Sequence, residues 1–175
     1  IMMNTLYSLT NTTVKNKYLE KAFNKRVRSC KHIDSSINVF DDVIFRLTKS
    51  LLKNTYERDI LNIGVINPSV NDYIHFTISN NINERISIIE SAEYIEQIIK
   101  VATDKETKQI LIDIVKNGEL LRLNTLQNNK YFYFVKLVVE NSIFDECIEN
   151  NLKNCIYYMS EKIMSGESYG ELIMK

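Results

Sequence analysis

Apolar positions recur at helical spacing along most of the chain. From Thr13 to about Ile33 they fall at Val14, Tyr18, Ala22, Phe23, Val27 and Cys30, one stripe on a predicted helix. Ile37, Phe40, Ile44, Leu47 and Leu51 make a second stripe, with Asp34, Ser35 and Ser36 offering its N-cap. Val39, Val43 and Phe45 widen that stripe, so the helix is expected to be covered on more than one side. Tyr56 to Ile63 reads as a short helical turn that Gly64 ends. Asn67 as N-cap with Pro68 at the first helical position starts a helix running to about Ser79. The longest apolar pattern spans Asn83 to about Ala102 and predicts a central helix, with Ile88, Ile89, Ala92, Ile95, Ile99 and Ala102 on one face. Thr103 and Glu106 read as a capping box for the next helix, and Gly118 as its left-handed stop. Ser142, with Asp145 three residues on, opens the last helix. Its stripe is Phe144, Ile148, Leu152, Cys155, Met159 and Ile163, and Gly166 stops it.

One stretch breaks the helical rhythm. Between Glu119 and Glu140, two runs rich in apolar, aromatic and β-branched residues flank the polar segment Gln127 to Lys130, which is how a β-hairpin reads. Strand alternation puts Tyr131, Tyr133, Val135, Leu137 and Val139 on one side, and Phe132, Phe134 and Val138 on the other. Both faces are apolar, so the strand is expected to be covered on both or to form an interface edge. The predicted class is α+β: a mostly helical single domain with one β-hairpin near 119–140. Residues 1–11 read as a flexible lead-in, 12–165 as the globular domain and 166–175 as a tail.

Composition narrows this picture. With 175 residues, 45% of them apolar, the chain can bury a core without disulfides or metal. One Pro and four Gly are too few turn formers for an all-β sandwich. Three Cys, an odd number, argue against a secreted disulfide scaffold. No apolar run reaches the roughly 18–20 residues that span a bilayer, and the opening stretch lacks a signal-peptide pattern. An intracellular, cytoplasmic protein without a membrane partner is expected.

Charge is uneven along the chain. Residues 1–58 carry 11 Lys/Arg against 5 Asp/Glu, a net +6, and the remainder carries the balancing −6. On the first predicted helix, Lys15, Lys17, Lys21, Lys25, Arg26, Arg28 and Lys31 face away from the apolar stripe, with only Glu20 among them. Lys21, Lys25, Arg26 and Arg28 are the candidate nucleic-acid contacts. The competing expectations are a solvated face, or neutralisation of one half by the other across the fold. Tyr18 and Phe23 lie on the apolar stripe rather than among the basic residues, which weakens the case for base stacking.

Signatures of catalysis and metal binding are missing. His32 and His75 are the only histidines and lie far apart in sequence. Cys147 and Cys155 are separated by about 12 Å of helical rise, too far to share a zinc. Cys30 and His32 diverge at i and i+2, which makes a poor nucleophile pair, and Cys155 reads as core. No phosphate-binding, dinucleotide or nucleophile-elbow motif occurs. No cofactor or metal is expected. The missing motifs weigh against an enzyme, for which Glu93 and Glu96, three apart, would be the paired carboxylates.

Two fragments resemble the poxviral Bcl-2-like inhibitor proteins: Phe40-Asp41-Asp42-Val43 on an early helix, and Asp72-Tyr73-Ile74-His75-Phe76-Thr77 followed by Ile88-Ile89-Glu90-Ser91-Ala92 on the candidate central helix. The resemblance implies an all-α bundle as the alternative fold, and a host-cell binder of signalling or death proteins without catalytic residues. Missing motifs, split charge and the two-sided aromatic segment together predict a non-enzymatic protein-binding module, an inhibitor or immunity-type partner. Its expected anchors are Tyr131, Tyr133 and Phe134. The partner is another protein or a second copy joined through an edge strand, with nucleic acid on the basic helix as the alternative.

Overall fold

The computed structural model describes residues 1–30, 39–126, 129–143 and 146–164. In order they form α1 (Met2–Leu9), β1 (Thr13–Lys15), α2 (Asn16–Ser29), α3 (Phe40–Thr48), β2 (Leu52–Glu57), β3 (Ile60–Val65), α4 (Pro68–Ser79), α5 (Ile82–Glu90), α6 (Ile95–Val101), α7 (Lys105–Lys116), a 3₁₀ turn (Glu119–Arg122), α8 (Lys130–Glu140) and α9 (Glu146–Met164). The fold is mostly helical α+β, as the pattern predicts. Its β element is elsewhere, and the small antiparallel sheet replaces the all-α alternative. Contacts gather into two compact units, residues 1–111 and 112–175. The predicted tail, Lys31, His32, the Asp34–Ser36 cap, Phe144, Asp145 and the Gly166 stop lie outside the described residues.

In the first unit the strands are ordered β1-β3-β2. β2 and β3 form the hairpin, from Leu52 opposite Val65 to Glu57 opposite Ile60. Tyr56 to Ile63 is therefore hairpin rather than helical turn. The signal was hidden because Arg58 and Asp59 make the two-residue turn at φ of 49° and 63°, where Asn-Gly is the recognisable sequence. Two non-glycine residues in the left-handed region cost stability. Replacing Arg58-Asp59 with Asn-Gly should add about 1 kcal/mol and raise the thermal midpoint by about 4 °C. Gly64 is not a helix stop. It faces Thr13 on β1, and a Cβ there would meet the Thr12 carbonyl oxygen at 2.5 Å, so its bareness lets β1 approach.

Residues 2–9, expected to be flexible, are a buried helix. Met2, Leu6 and Leu9 recur at helical spacing, and the intervening hydroxyls are satisfied within the turn. Thr5 Oγ donates to the Ile1 carbonyl at 2.9 Å and Ser8 Oγ to the Thr5 carbonyl at 2.7 Å, so polar residues enter the core at little cost. α1 packs against α2, α4 and α6. The predicted second helix survives as α3, but only Phe40 on it is buried, so it is not covered on several sides.

The central helix is two helices. α5 starts at the Asn81 cap, whose Oδ1 accepts the Glu84 N–H at 3.0 Å, and it ends at Glu90. α6 restarts after Tyr94 because the Gln97 side chain turns back to accept the Glu93 and Tyr94 N–H groups at 2.9 and 3.1 Å. Gln97 also donates to Ser8 Oγ at 3.1 Å, so this buried amide both breaks the helix and ties it to α1. The cap of α7 is Asp104, accepting the Glu106 and Thr107 N–H groups, rather than Thr103 with Glu106. Gly118 has φ 69°, the left-handed stop expected there.

In the second unit the predicted 119–140 hairpin is a 3₁₀ turn followed by α8. Asn129, read as a hairpin-turn residue, is a helix N-cap: its Oδ1 accepts the Phe132 N–H at 3.0 Å. Phe134, Leu137 and Val138 are buried, an i, i+3, i+4 set that strand alternation would split between faces. α8 packs against α9 and the 3₁₀ turn.

Candidate functional site

The three expected anchors lie on α8, not on a strand. Phe134 is fully buried, so it builds the core and is withdrawn as an anchor. Tyr131 is half-buried, its ring 4.2 Å from that of Tyr158 on α9. Tyr133 is half-buried, and the most exposed aromatic of the segment is Phe132.

The four basic candidates are largely consumed inside the first unit. Lys21 and Lys25 converge on Glu93, at 2.7 and 3.4 Å. Arg26 is only 2% exposed, because α2 turns it inward with Leu19, Ala22 and Phe23. Its Nη2 meets Glu84 Oε1 at 2.5 Å, and Asn4 Nδ2 donates to the same oxygen at 2.6 Å. Burial pulls the guanidinium pKa down and Glu84 opposes that pull. Arg28 is exposed. Neutralisation between the basic α2 and the carboxylates that follow it is thus the observed use of much of this charge. Glu93 is also committed to the two lysines, which removes it from a free pair with Glu96.

A second arginine, Arg85, reaches Asp104 at 2.5 Å and donates to the Ser79 and Ile78 carbonyls at the end of α4. It fastens α4, α5 and the start of α7 together. Tyr7 Oη lies 2.6 Å from His75 Nδ1, and Lys100 Nζ sits 4.2 Å from the centre of the Tyr7 ring. Burial pushes the Lys100 amine down to about 8 and raises the Tyr7 phenol. The Tyr7–His75 contact is a hydrogen-bonded link between α1 and α4. Cys155 is buried and pushed up to about 11, which leaves the thiol inert. Among the described residues, no cluster of three His, Cys, Asp or Glu is placed to hold a metal, and no helix is long and apolar enough to cross a membrane.

Among the exposed apolar side chains of the described residues, those on the outer face of α4 lie on the helix that also walls a cavity. Asn67 Oδ1 caps α4 by accepting the Ser69 N–H at 3.0 Å. The helix buries only Ile74 and Ile78. Tyr73 and Phe76 are 72% and 67% exposed, and Ile66, hydrogen-bonded to Leu51 just before the cap, is 53% exposed. Tyr73 also borders a cavity of about 390 Å³, whose other apolar walls come from Met3, Leu51, Val70 and Ile74. Asn4, Asn67 and Thr77 supply polar edges. A cavity of this size with a few placed polar groups accommodates one or two large apolar side chains. The sequence pattern placed a helix here without assigning Tyr73, Ile74, Phe76 and Ile78 to faces. The available signal was the i, i+3 pairing of Tyr73 and Phe76 away from Ile74 and Ile78.

No family model, curated protein or solved structure matches the chain, so its site is defined by its own geometry.

Proposed function

We propose that the chain is a non-enzymatic protein-binding module, of the kind inhibitors and immunity-type proteins are, whose partner docks on α4. The observation that carries this is exposed Tyr73 on the wall of an apolar cavity, with exposed Phe76 on the same helix and exposed Ile66 just before it. Exposed aromatics beside a preformed pocket are the arrangement in which a few desolvated side chains dominate binding energy. The fragment Asp72–Thr77, which resembles the poxviral Bcl-2-like inhibitors, lies on this helix and supports the same kind of function. The internal pairing of Lys21, Lys25 and Arg26 favours this reading over nucleic-acid binding.

Tyr73→Ala combined with Phe76→Ala is expected to weaken partner capture by tenfold or more, on the order of 2 kcal/mol, while leaving the thermal midpoint within a few degrees of wild type. The measurement is a pull-down from extract of the source cells at moderate salt, with wild-type and doubly substituted protein side by side. Equal capture by both would remove α4 as the docking face. Recovery of nucleic acid alone, and only at low salt, would move the function to the basic residues.

A further inference from the structure

We propose that two copies of the chain pair antiparallel through β2, in the register centred on Thr55. This rests on a different surface from the α4 face and stands or falls separately. Among the described residues β2 is an edge strand, and Lys53 to Glu57 are all exposed, Tyr56 at 73%. The two-residue turn makes Glu57 and Ile60 the hydrogen-bonded pair, and alternation makes Thr55–Asn62 and Lys53–Gly64 the next two. The N–H and C=O groups of Asn54 and Tyr56 therefore point away from β3, along the open edge. Such an edge is a template for another strand.

The sequence of that edge is self-complementary. With Thr55 opposite its own symmetry mate, Asn54 meets Tyr56 of the second copy, and their outward groups exchange hydrogen bonds in the correct phase. Thr55 then faces Thr55. Lys53 faces Glu57, and Glu57 faces Lys53, each at a non-hydrogen-bonded position where cross-strand side chains are closest. The two ion pairs fall on the sheet face opposite Leu52 and Ile63, the buried residues, so the charges stay in solvent. Registers centred on Asn54 or Tyr56 break this match: the first sets Glu57 against Leu51, and the second sets Glu57 against Thr55. One patch contacting itself is the isologous geometry of a closed two-fold dimer. The strand-mediated self-association expected for 119–140 is thereby assigned to β2, since 130–140 is helix.

The test is sedimentation equilibrium of the full chain from micromolar to millimolar concentration. Wild type should show a concentration-dependent dimer. Asn54→Pro removes an outward N–H that β3 does not use, and should abolish the dimer with an unchanged circular dichroism spectrum. Lys53→Glu and Glu57→Lys should each raise the dimer Kd about tenfold. An equimolar mixture of those two variants should regain wild-type affinity, because in the mixed pair every introduced charge meets its opposite. A wild type that stays monomeric throughout, or a mixture no tighter than the single variants, overturns the proposal. A monomer that binds a foreign strand on this edge does so as well.

Discussion

Replacing Glu84 with alanine should destabilise the protein by about 3–5 kcal/mol, because it strands a buried guanidinium. Arg26 is 2% exposed, and its Nε and Nη1 have no hydrogen-bond partner, so Glu84 supplies the balancing charge. The same carboxylate holds Asn4, so its loss also frees the first turns of α1. The pair itself contributes little net stability, since desolvating both charges offsets most of their attraction. Arg26→Met combined with Glu84→Gln should therefore recover most of what Glu84→Ala loses. Urea unfolding of the three variants measures this. A loss below about 1 kcal/mol for Glu84→Ala would mean that the guanidinium finds water or another acceptor, contrary to its burial.

Phe134→Ala should cost about 3–5 kcal/mol, and Phe132→Ala less than about 1 kcal/mol. The contrast is diagnostic of helix over strand. On a strand the two residues share a face and should respond alike. On α8 they point to different sides, Phe134 fully buried and Phe132 at the surface. Comparable losses at both positions would restore the strand reading of this segment.

How much was legible follows from where the physics is local. Asn67-Pro68 announced α4 and Gly118 ended α7, because each acts through its own backbone conformation. The 119–140 segment misled because β propensity reports packing context more than backbone preference, and a single Asn cap at 129 outweighed a run of aromatics. The true hairpin was obscured by an Arg-Asp turn without glycine. The break at Ser91–Tyr94 depends on Gln97 reaching back, a tertiary choice that apolar periodicity does not record. For the site, the basic stripe of α2 was visible and its internal use was not. Arg26 meets Glu84 at a sequence separation of 58. The α4 face was named residue by residue in the sequence, yet exposure is a property of the assembled fold.

The link from Ser8 to Gln97 spans 89 positions, and Lys25 reaches the Ala92 carbonyl across 67. α1 and α2 thus emerge from the ribosome long before the segments that cover them. At cellular elongation rates the wait from Cys30 to Val101 is roughly 4–14 s. During that interval an amphipathic basic segment, with Leu19 and Phe23 uncovered, is available to anything anionic or apolar nearby. The β2–β3 hairpin completes sooner and can receive β1, so the sheet is the earliest platform on which this segment is sheltered. Gly64, which admits β1, is the position that early shelter depends on: a Cβ there would meet the Thr12 carbonyl oxygen just before the native strand, so Gly64→Ala should lower both stability and the yield of folded protein.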